Sequence, residues 1–351
     1  MLSWGSKKVL GLDIGTSTIK LAEVDVSRSS ATLNAFAMAP TPPGSVVAGA
    51  IMDPMALAQT VAGLTQDLNT KRKSVAASLW GSSVIVKKIS IPKMDEKVVG
   101  EQIRWEAEQY IPFDINEVIL AFKILRNLNH GGETMDILIV AAKQEQTMKY
   151  IEVVETAGLK CSILDVGGFA LANCFERNFG VLQGQVVSVL NIGASTTNLV
   201  IIENGEVVFC RDLEIGGKTY TDEIQKALSV SAEEAESIKL TASSGQAVPE
   251  EVPQILKQAH ELVCDELQAS FDFFANTNSN SAIAKCFVTG GGSRVPGFLA
   301  QLTETVKISS EPFDPFSRIS YNSRNISSSY LADIRDFAAV ALGLGVRKVG
   351  D

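Results

Sequence analysis

The chain has 351 residues, 46% hydrophobic and 20% charged, with a formal net charge of −9. This composition excludes disorder and low-complexity scaffolds, and at about 150 residues per domain the length predicts roughly two domains. The acidic balance argues against a nucleic-acid surface and against direct adhesion to anionic lipid.

Cys161, Cys174, Cys210, Cys264 and Cys286 form no CxxC, and His130 and His260 are the two histidines. Neither a disulfide framework nor a zinc site is expected; the thiols read as buried and reduced. No run of 18 apolar residues occurs, and Asp13 breaks the apolar run that follows Lys7 and Lys8. Neither a membrane span nor a signal peptide is therefore expected, and the chain reads as cytoplasmic.

The first pattern is an apolar run at Val9–Leu12, a polar turn with Gly15, and a second run from Ile19 to Val24. It predicts strand, turn, strand. A shift of 178 residues aligns Leu12, Ile14, Gly15, Ser17, Thr18 and Leu21 with Leu190, Ile192, Gly193, Ser195, Thr196 and Leu199. That is an internal duplication, and it splits the chain into two halves.

The first half carries an extra block, 83–164, that reads β-α-β-β-α-β: Val84–Ile91, Asp95–Gln109, Val118–Arg126, Met135–Ala142, Gln144–Ala157 and Leu159–Leu164. It is expected as an inserted α+β domain. The first half then comprises 1–82, 165–185 and 333–351, and the second half 186–332 with a helical part at 219–285. Asn204-Gly205 predicts a hairpin turn in the second half. Ser231 to Glu234 is a capping box that opens a helix. Pro249–Asn276 reads as a long amphipathic helix with Ile255, Ala259, Leu262, Leu267 and Phe274 near one face.

Three glycine-bearing turns have the chemistry that a nucleotide needs. Gly15 removes a side chain where the chain bends, Thr16, Ser17 and Thr18 supply hydroxyls and amides, Asp13 can hold a magnesium water and Lys20 can reach a phosphate. Gly193, Ala194, Ser195 and Thr196 repeat the turn, with Asn191 at the place of Asp13. Gly290, Gly291, Gly292 and Ser293 form a third loop between a strand and a helix, where backbone can approach a nucleoside closely. No GxxxxGK[ST] and no dinucleotide fingerprint is present.

These turns, with Glu236 and Lys239 on one helix, resemble the actin-like ATPase superfamily over nearly the whole chain. The resemblance implies an α/β fold of duplicated actin-like (ribonuclease H-like) halves around a nucleotide cleft. It implies bound ATP or ADP with Mg²⁺, with Glu236 and Lys239 at the ribose and base, Gly290–Ser293 at the adenosine, and Ala338–Gly345 as the closing helix. The inserted block resembles that of FtsA relatives, and Glu106–Phe113 resembles the PilM proteins of type IV pilus assembly. The end Gly343–Asp351 is too short for the amphipathic membrane helix of FtsA.

That resemblance implies an ATP-binding scaffold, cytoplasmic and peripheral to the inner membrane, bound to the N-terminal peptide of PilN and linked to the pilus motor. The peptide groove is expected between the inserted domain and its neighbour. Ile111, Pro112 and Phe113 either pack near that groove or fill the inserted core. An FtsA-like polymerising anchor and an actin-fold small-molecule kinase are the alternatives. Asn191 stands where the superfamily has Asp; an uncharged amide cannot act as a base, so slow hydrolysis or none is expected. His130 in its glycine turn and the run Lys71-Arg72-Lys73 read as solvated loop residues, the helical His260 has no second ligand at matching spacing, and Trp105 and Tyr110 read as packed or at a helix boundary.

Overall fold

Two mixed sheets carry the duplicated hairpins. The chain is described by a computed structural model over residues 8–27, 30–128, 132–278 and 281–350; Lys7, the loop residues His130 and Gly131, and Asp351 lie outside the described residues. The chain opens with β1 (Leu10–Ile14), β2 (Thr18–Val26) and β3 (Ala31–Pro40), then a short pair β4 (Val46–Val47) and β5 (Ala50–Ile51). Helix α1 (Pro54–Asp67) follows, capped by Asp53, whose side chain accepts from the Ala56 amide. Strand β6 (Ser74–Leu79) leads to β7 (Val84–Pro92), α2 (Glu96–Glu108), β8 (Val118–Ile124), β9 (Thr134–Lys143), α3 (Gln144–Thr156), β10 (Lys160–Val166) and α4 (Gly167–Phe179).

The second copy is β11 (Val186–Ile192), β12 (Thr197–Glu203) and β13 (Glu206–Leu213), with Asn204 and Gly205 both at positive φ in the expected turn. Helices α5 (Gly217–Leu228), α6 (Ala232–Ser243) and α7 (Val252–Thr277) come next, then β14 (Ile283–Thr289), α8 (Phe298–Val306), β15 (Ser310–Pro312), β16 (Ile319–Tyr321), α9 (Ser328–Ile334) and α10 (Ala339–Gly345). The first sheet has the order β10-β6-β1-β2-β3-β16 and the second β13-β12-β11-β14-β15.

The inserted block is smaller than its sequence pattern suggests. Its six elements form in the expected order, but only β7, β9 and β8 make the inserted sheet. Helix α2 covers that sheet, with Val99, Ile103 and Ala107 packed on Ile89, Ile91, Ile137 and Ile139. Strand β10 instead pairs in parallel with β6 of the first sheet, and α3 buries Tyr150 and Val153 in that sheet's core beside Leu57 and Val61 of α1. The reason is pairing geometry: a β6–β10 parallel pair needs a long crossover, and the inserted sheet lies within it. Strand β16, placed in the second half by sequence, pairs with β3 of the first sheet.

Helices α4 and α10 fill the space between the sheets, where Leu171, Phe175, Ala341 and Leu342 join Val189 and Val200 in one core. Backbone approaches backbone there: a Cβ on Gly343 would lie 1.7 Å from the Ala170 carbonyl, and one on Gly11 would lie 1.9 Å from that of Ala341. Helix α7 buries Ile255, Ala259, Leu267 and Phe274, but Leu262 points out; Val263 takes its place, because the buried stripe advances by four residues there. Arg72 is not a solvated loop cation. Its guanidinium donates to the Val24 carbonyl at 2.7 Å and pairs with Asp25, tying the start of β6 to β2. Trp105 does not pack: it stands 74% exposed on α2, and Tyr110 is exposed beyond the helix end.

Candidate functional site

The two hairpin turns face each other at the top of the sheets, across a cavity of about 360 Å³. In the first turn the Gly15 amide donates to the Thr18 carbonyl at 3.1 Å, and Thr41 from the end of β3 donates to the Gly15 carbonyl at 2.7 Å. Thr16, Ser17 and Thr18 line the cavity on this side. In the second turn the Gly193 amide donates to the Thr196 carbonyl at 3.0 Å, and a Cβ on Gly193 would lie 2.5 Å from that same oxygen. The start of α5 backs it, with the Gly217 and Lys218 amides on the Gly193 and Ala194 carbonyls. Gly193, Ala194 and Thr196 line the cavity, while Ser195 turns across it to Thr16.

Below the turns stand the strand-end polar residues. Asp13 and Lys20 are cross-strand partners and pair at 3.0 Å, so Lys20 neutralises Asp13 rather than reaching freely into the cavity. Asn191 and Asn198 hold the same places in the second hairpin, joined at 2.9 Å. The duplication thus sets a charged pair against an amide pair.

The third loop presses on the second turn. Gly290 has φ +98, and a Cβ there would lie 2.3 Å from the Ile192 carbonyl and 2.7 Å from Asn191 Oδ1, so only glycine fits. Gly291 and Gly292 line the cavity, and Ser293 closes the loop by donating to the Gly290 carbonyl at 2.7 Å. On α6, Glu236 and Lys239 pair at 2.6 Å, and Lys239 also donates to Thr221 and to the Gly217 carbonyl, which fixes its ammonium in a nearly buried position.

Several lining residues carry no motif. Ser78, near the end of β6, is 1% exposed and its hydroxyl has no hydrogen-bond partner among the described residues. The Trp80 indole donates to the Ile14 carbonyl at 2.9 Å, directly behind the first turn. Arg294, Asp336 and Phe337 close the end beside Gly291, with Arg294 and Asp336 3.5 Å apart. Burial pushes the Asp336 carboxyl up against the opposing pull of Arg294 and Arg335. Arg294 directly follows the glycine loop and was legible there; Phe337 arrives only through the tertiary fold.

The residues fit a nucleotide and its magnesium. Stacked amides, three hydroxyls and a side-chain-free glycine cradle suit phosphate, and the Asp13 carboxylate with the Asn191 oxygen suits a hydrated cation. The cavity's carboxylates are engaged, Asp13 by Lys20, Glu236 by Lys239 and Asp336 by Arg294.

A second cavity, of about 760 Å³, lies under the face of the inserted sheet that α2 leaves uncovered. Lys123 and Val140 roof it, and Phe169, Phe175 and Val207 form its floor. Lys123 pairs with Glu206 at 2.5 Å, tying the inserted sheet to β13. Of the two readings for Ile111, Pro112 and Phe113, the structure shows core packing for Ile111 and Phe113, and none of the three lines this cavity. Ile111 is buried in the core beneath α2, Phe113 packs on that core under the Lys143 ammonium, and Pro112 is exposed. Among the described residues no group of three or more potential metal ligands occurs, and no helix is long and apolar enough to cross a membrane.

Comparison with known proteins agrees with this geometry. A solved structure described as a PilM-PilN type IV pilus biogenesis complex is 33% identical, with a TM-score of 0.86 over 98% of this chain and 100% of that one. MreB5 of Spiroplasma citri bound to AMPPNP is 14% identical with a TM-score of 0.52, over 88% of this chain and 92% of that one, and shares the fold. The cell division protein FtsA of Bacillus subtilis (strain 168) is 24% identical over 260 residues, 66% of this chain and 57% of that protein's length. The sequence model of the type IV pilus assembly protein PilM matches residues 11–349. With two facing glycine turns, a third glycine loop and an inserted sheet on an actin-like ATPase fold, the chain belongs to the PilM family of type IV pilus assembly proteins.

Proposed function

We propose that the chain is an ATP-binding scaffold of the type IV pilus inner-membrane platform. It holds the N-terminal cytoplasmic peptide of a PilN-like membrane protein and links it to the pilus motor. The observation that carries this reading is the pairing of a nucleotide-shaped cleft with a separate cavity beneath the inserted sheet, in a chain that matches a PilM-PilN complex along its length.

In the cleft, Gly15–Thr18 and Gly193–Thr196 grip the phosphates, Glu236 and Lys239 meet the ribose and base, and Gly290–Ser293 lies along the adenosine. Asp13 and Asn191 hold the waters of Mg²⁺, whose chemistry is to neutralise the phosphate charge. Hydrolysis is slow or absent, since Asn191 cannot take a proton and the cleft's carboxylates are engaged by cations. The peptide enters the larger cavity, where an extended segment finds apolar walls from Phe169, Phe175 and Val207 beneath the inserted sheet. The protein sits in the cytoplasm and reaches the inner membrane through this partner.

Isothermal titration of the full chain with Mg·ATP and, separately, with a synthetic N-terminal peptide of the cognate PilN-like protein tests the reading. Saturable 1:1 binding of both is expected. Absence of either interaction overturns it.

A further inference from the structure

Across three neighbouring strands of the second sheet, Asn191, Asn198 and Asp212 stand in one register row. The matching row of the first sheet is Asp13, Lys20 and Met38. The second half therefore carries a carboxylate in its row, two strands away from the cleft-facing position.

Asp212 is held from both sides. One carboxylate oxygen accepts from Asn198 Nδ2 at 2.7 Å, the other from the Gly81 amide at 2.6 Å. Both Asp212 oxygens accept, one from the Gly81 amide and the other from Asn198, so Asn198 turns its NH₂ toward Asp212. Its carbonyl oxygen is left to accept from Asn191 Nδ2 at 2.9 Å. Asn191 is then left with its own oxygen, Oδ1, for the cavity it lines. A free amide could present either end. A metal-bound water needs an acceptor, which the NH₂ end cannot supply.

We propose that Asp212 is a positioning residue for the magnesium of a bound nucleotide: through Asn198 it fixes the Asn191 amide with its oxygen toward the cleft. This rests on reading the cleft as a Mg·ATP site. The carboxylate that the first half presents directly is replaced in the second half by an amide oriented from behind. Such outer partners of metal ligands commonly change metal affinity by about 10-fold or more when altered.

The test is the ratio of ATP dissociation constants without and with Mg²⁺, measured by calorimetry on the full chain. In Asp212→Asn one acceptor oxygen faces two donors, so one of the two hydrogen bonds is lost and Asn198 is free to turn. The magnesium ratio is expected to fall by about 10-fold. The exchanged pair, Asn191→Asp with Asp212→Asn, moves the carboxylate to the head of the row. Asn198 then donates to position 191 and accepts from position 212, whose amide oxygen still takes the Gly81 amide. This double variant is expected to recover both the magnesium ratio and the melting temperature of the ligand-free protein. A merely structural role for Asp212 leaves the magnesium ratio of a folded Asp212→Asn at the wild-type value, so that ratio carries the test.

A full magnesium ratio in a folded Asp212→Asn overturns the proposal. So does a double variant that folds but keeps the low ratio. If Asp212→Asn does not fold, Asn198→Ala decides, since it cuts the link between Asp212 and Asn191 without adding a carboxylate: a lowered magnesium ratio supports the proposal and an unchanged one overturns it. Wild-type protein that binds ATP with no magnesium effect overturns this proposal alone, whereas wild-type protein that binds no ATP overturns the proposed function as well.

Discussion

The Ser195 hydroxyl donates to the Thr16 hydroxyl across 2.9 Å, and this bond joins the turn of one half to the turn of the other. The two residues are 179 positions apart in sequence. A neutral hydrogen bond of this kind contributes about 1 kcal/mol net. Ser195→Ala and Thr16→Ala should each lower stability by about that much in urea melts, and the double variant should be no worse than either alone, since both remove the same bond. Fully additive losses would show that the two turns are not coupled in the free protein.

Gly290 and Gly343 separate the cleft from the fold. Gly290→Ala places a methyl group 2.3 Å from the Ile192 carbonyl at a backbone φ of +98. The loop must shift away from the second turn, so ATP affinity should fall steeply in a protein destabilised by more than about 1 kcal/mol. Gly343→Ala instead drives a methyl group to 1.7 Å from the Ala170 carbonyl, where α10 crosses α4. It should separate α10 from α4 and abolish a cooperative thermal melt. Melting followed by circular dichroism, with ATP titration of whatever stays folded, checks both.

Glu236 should matter more for nucleotide than for stability. Its side chain is 43% exposed although it pairs with Lys239 at 2.6 Å. A pair open to solvent on one side contributes under about 1 kcal/mol. Lys239 also keeps its bonds to Thr221 and to the Gly217 carbonyl. Glu236→Gln is therefore expected to melt within a few degrees of wild type yet bind ATP about 10-fold more weakly, because a neutral amide replaces the charged acceptor for the ribose hydroxyls. Calorimetry and thermal melts in parallel decide it; unchanged affinity with a large drop in melting temperature would refute the assignment.

His260 links the third loop to pH. Its Nε2 donates to the Pro296 carbonyl at 2.9 Å, so its Nδ1 accepts from the Tyr220 hydroxyl at 2.8 Å, and the ring is neutral. Burial holds its pKa below the ordinary value of 6.5, with the Pro296 contact opposing. Between the depressed value and 6.5 the unfolded chain binds more protons than the folded one, so stability rises with pH through that window. Acidification from pH 7 toward 5 should thus lower the melting temperature. His260→Gln should flatten that part of the profile, which melts across a pH series will show.

The chemistry of the cleft could be read in the chain order because it is local. Gly15 to Thr18 and Gly193 to Thr196 are turns of a few residues whose glycines and hydroxyls are fixed by the backbone, and the duplication marked them as a pair. The order of strands and helices in the inserted block was equally local. Which sheet those strands join was not. β10 has the same alternating pattern in either sheet, and only the crossover from β6 decides that it pairs there, while β16 finds β3 across 288 residues between Ile319 and Ala31. Arg72 shows the same limit, since a basic loop run and a buried clamp on Val24 look alike in sequence.

The sequence by itself determined a duplicated chain whose two glycine turns differ at one place, a carboxylate at Asp13 and an amide at Asn191. Only the tertiary structure decided what that amide presents to the cleft. Asp212 is 21 residues from Asn191 and carries no motif, yet strand pairing sets it two places along the same row. Hydrogen-bond direction then passes from a carboxyl group that accepts at both oxygens, through one amide, to the next. That direction depends on contacts between strands, which composition and spacing along one chain do not specify.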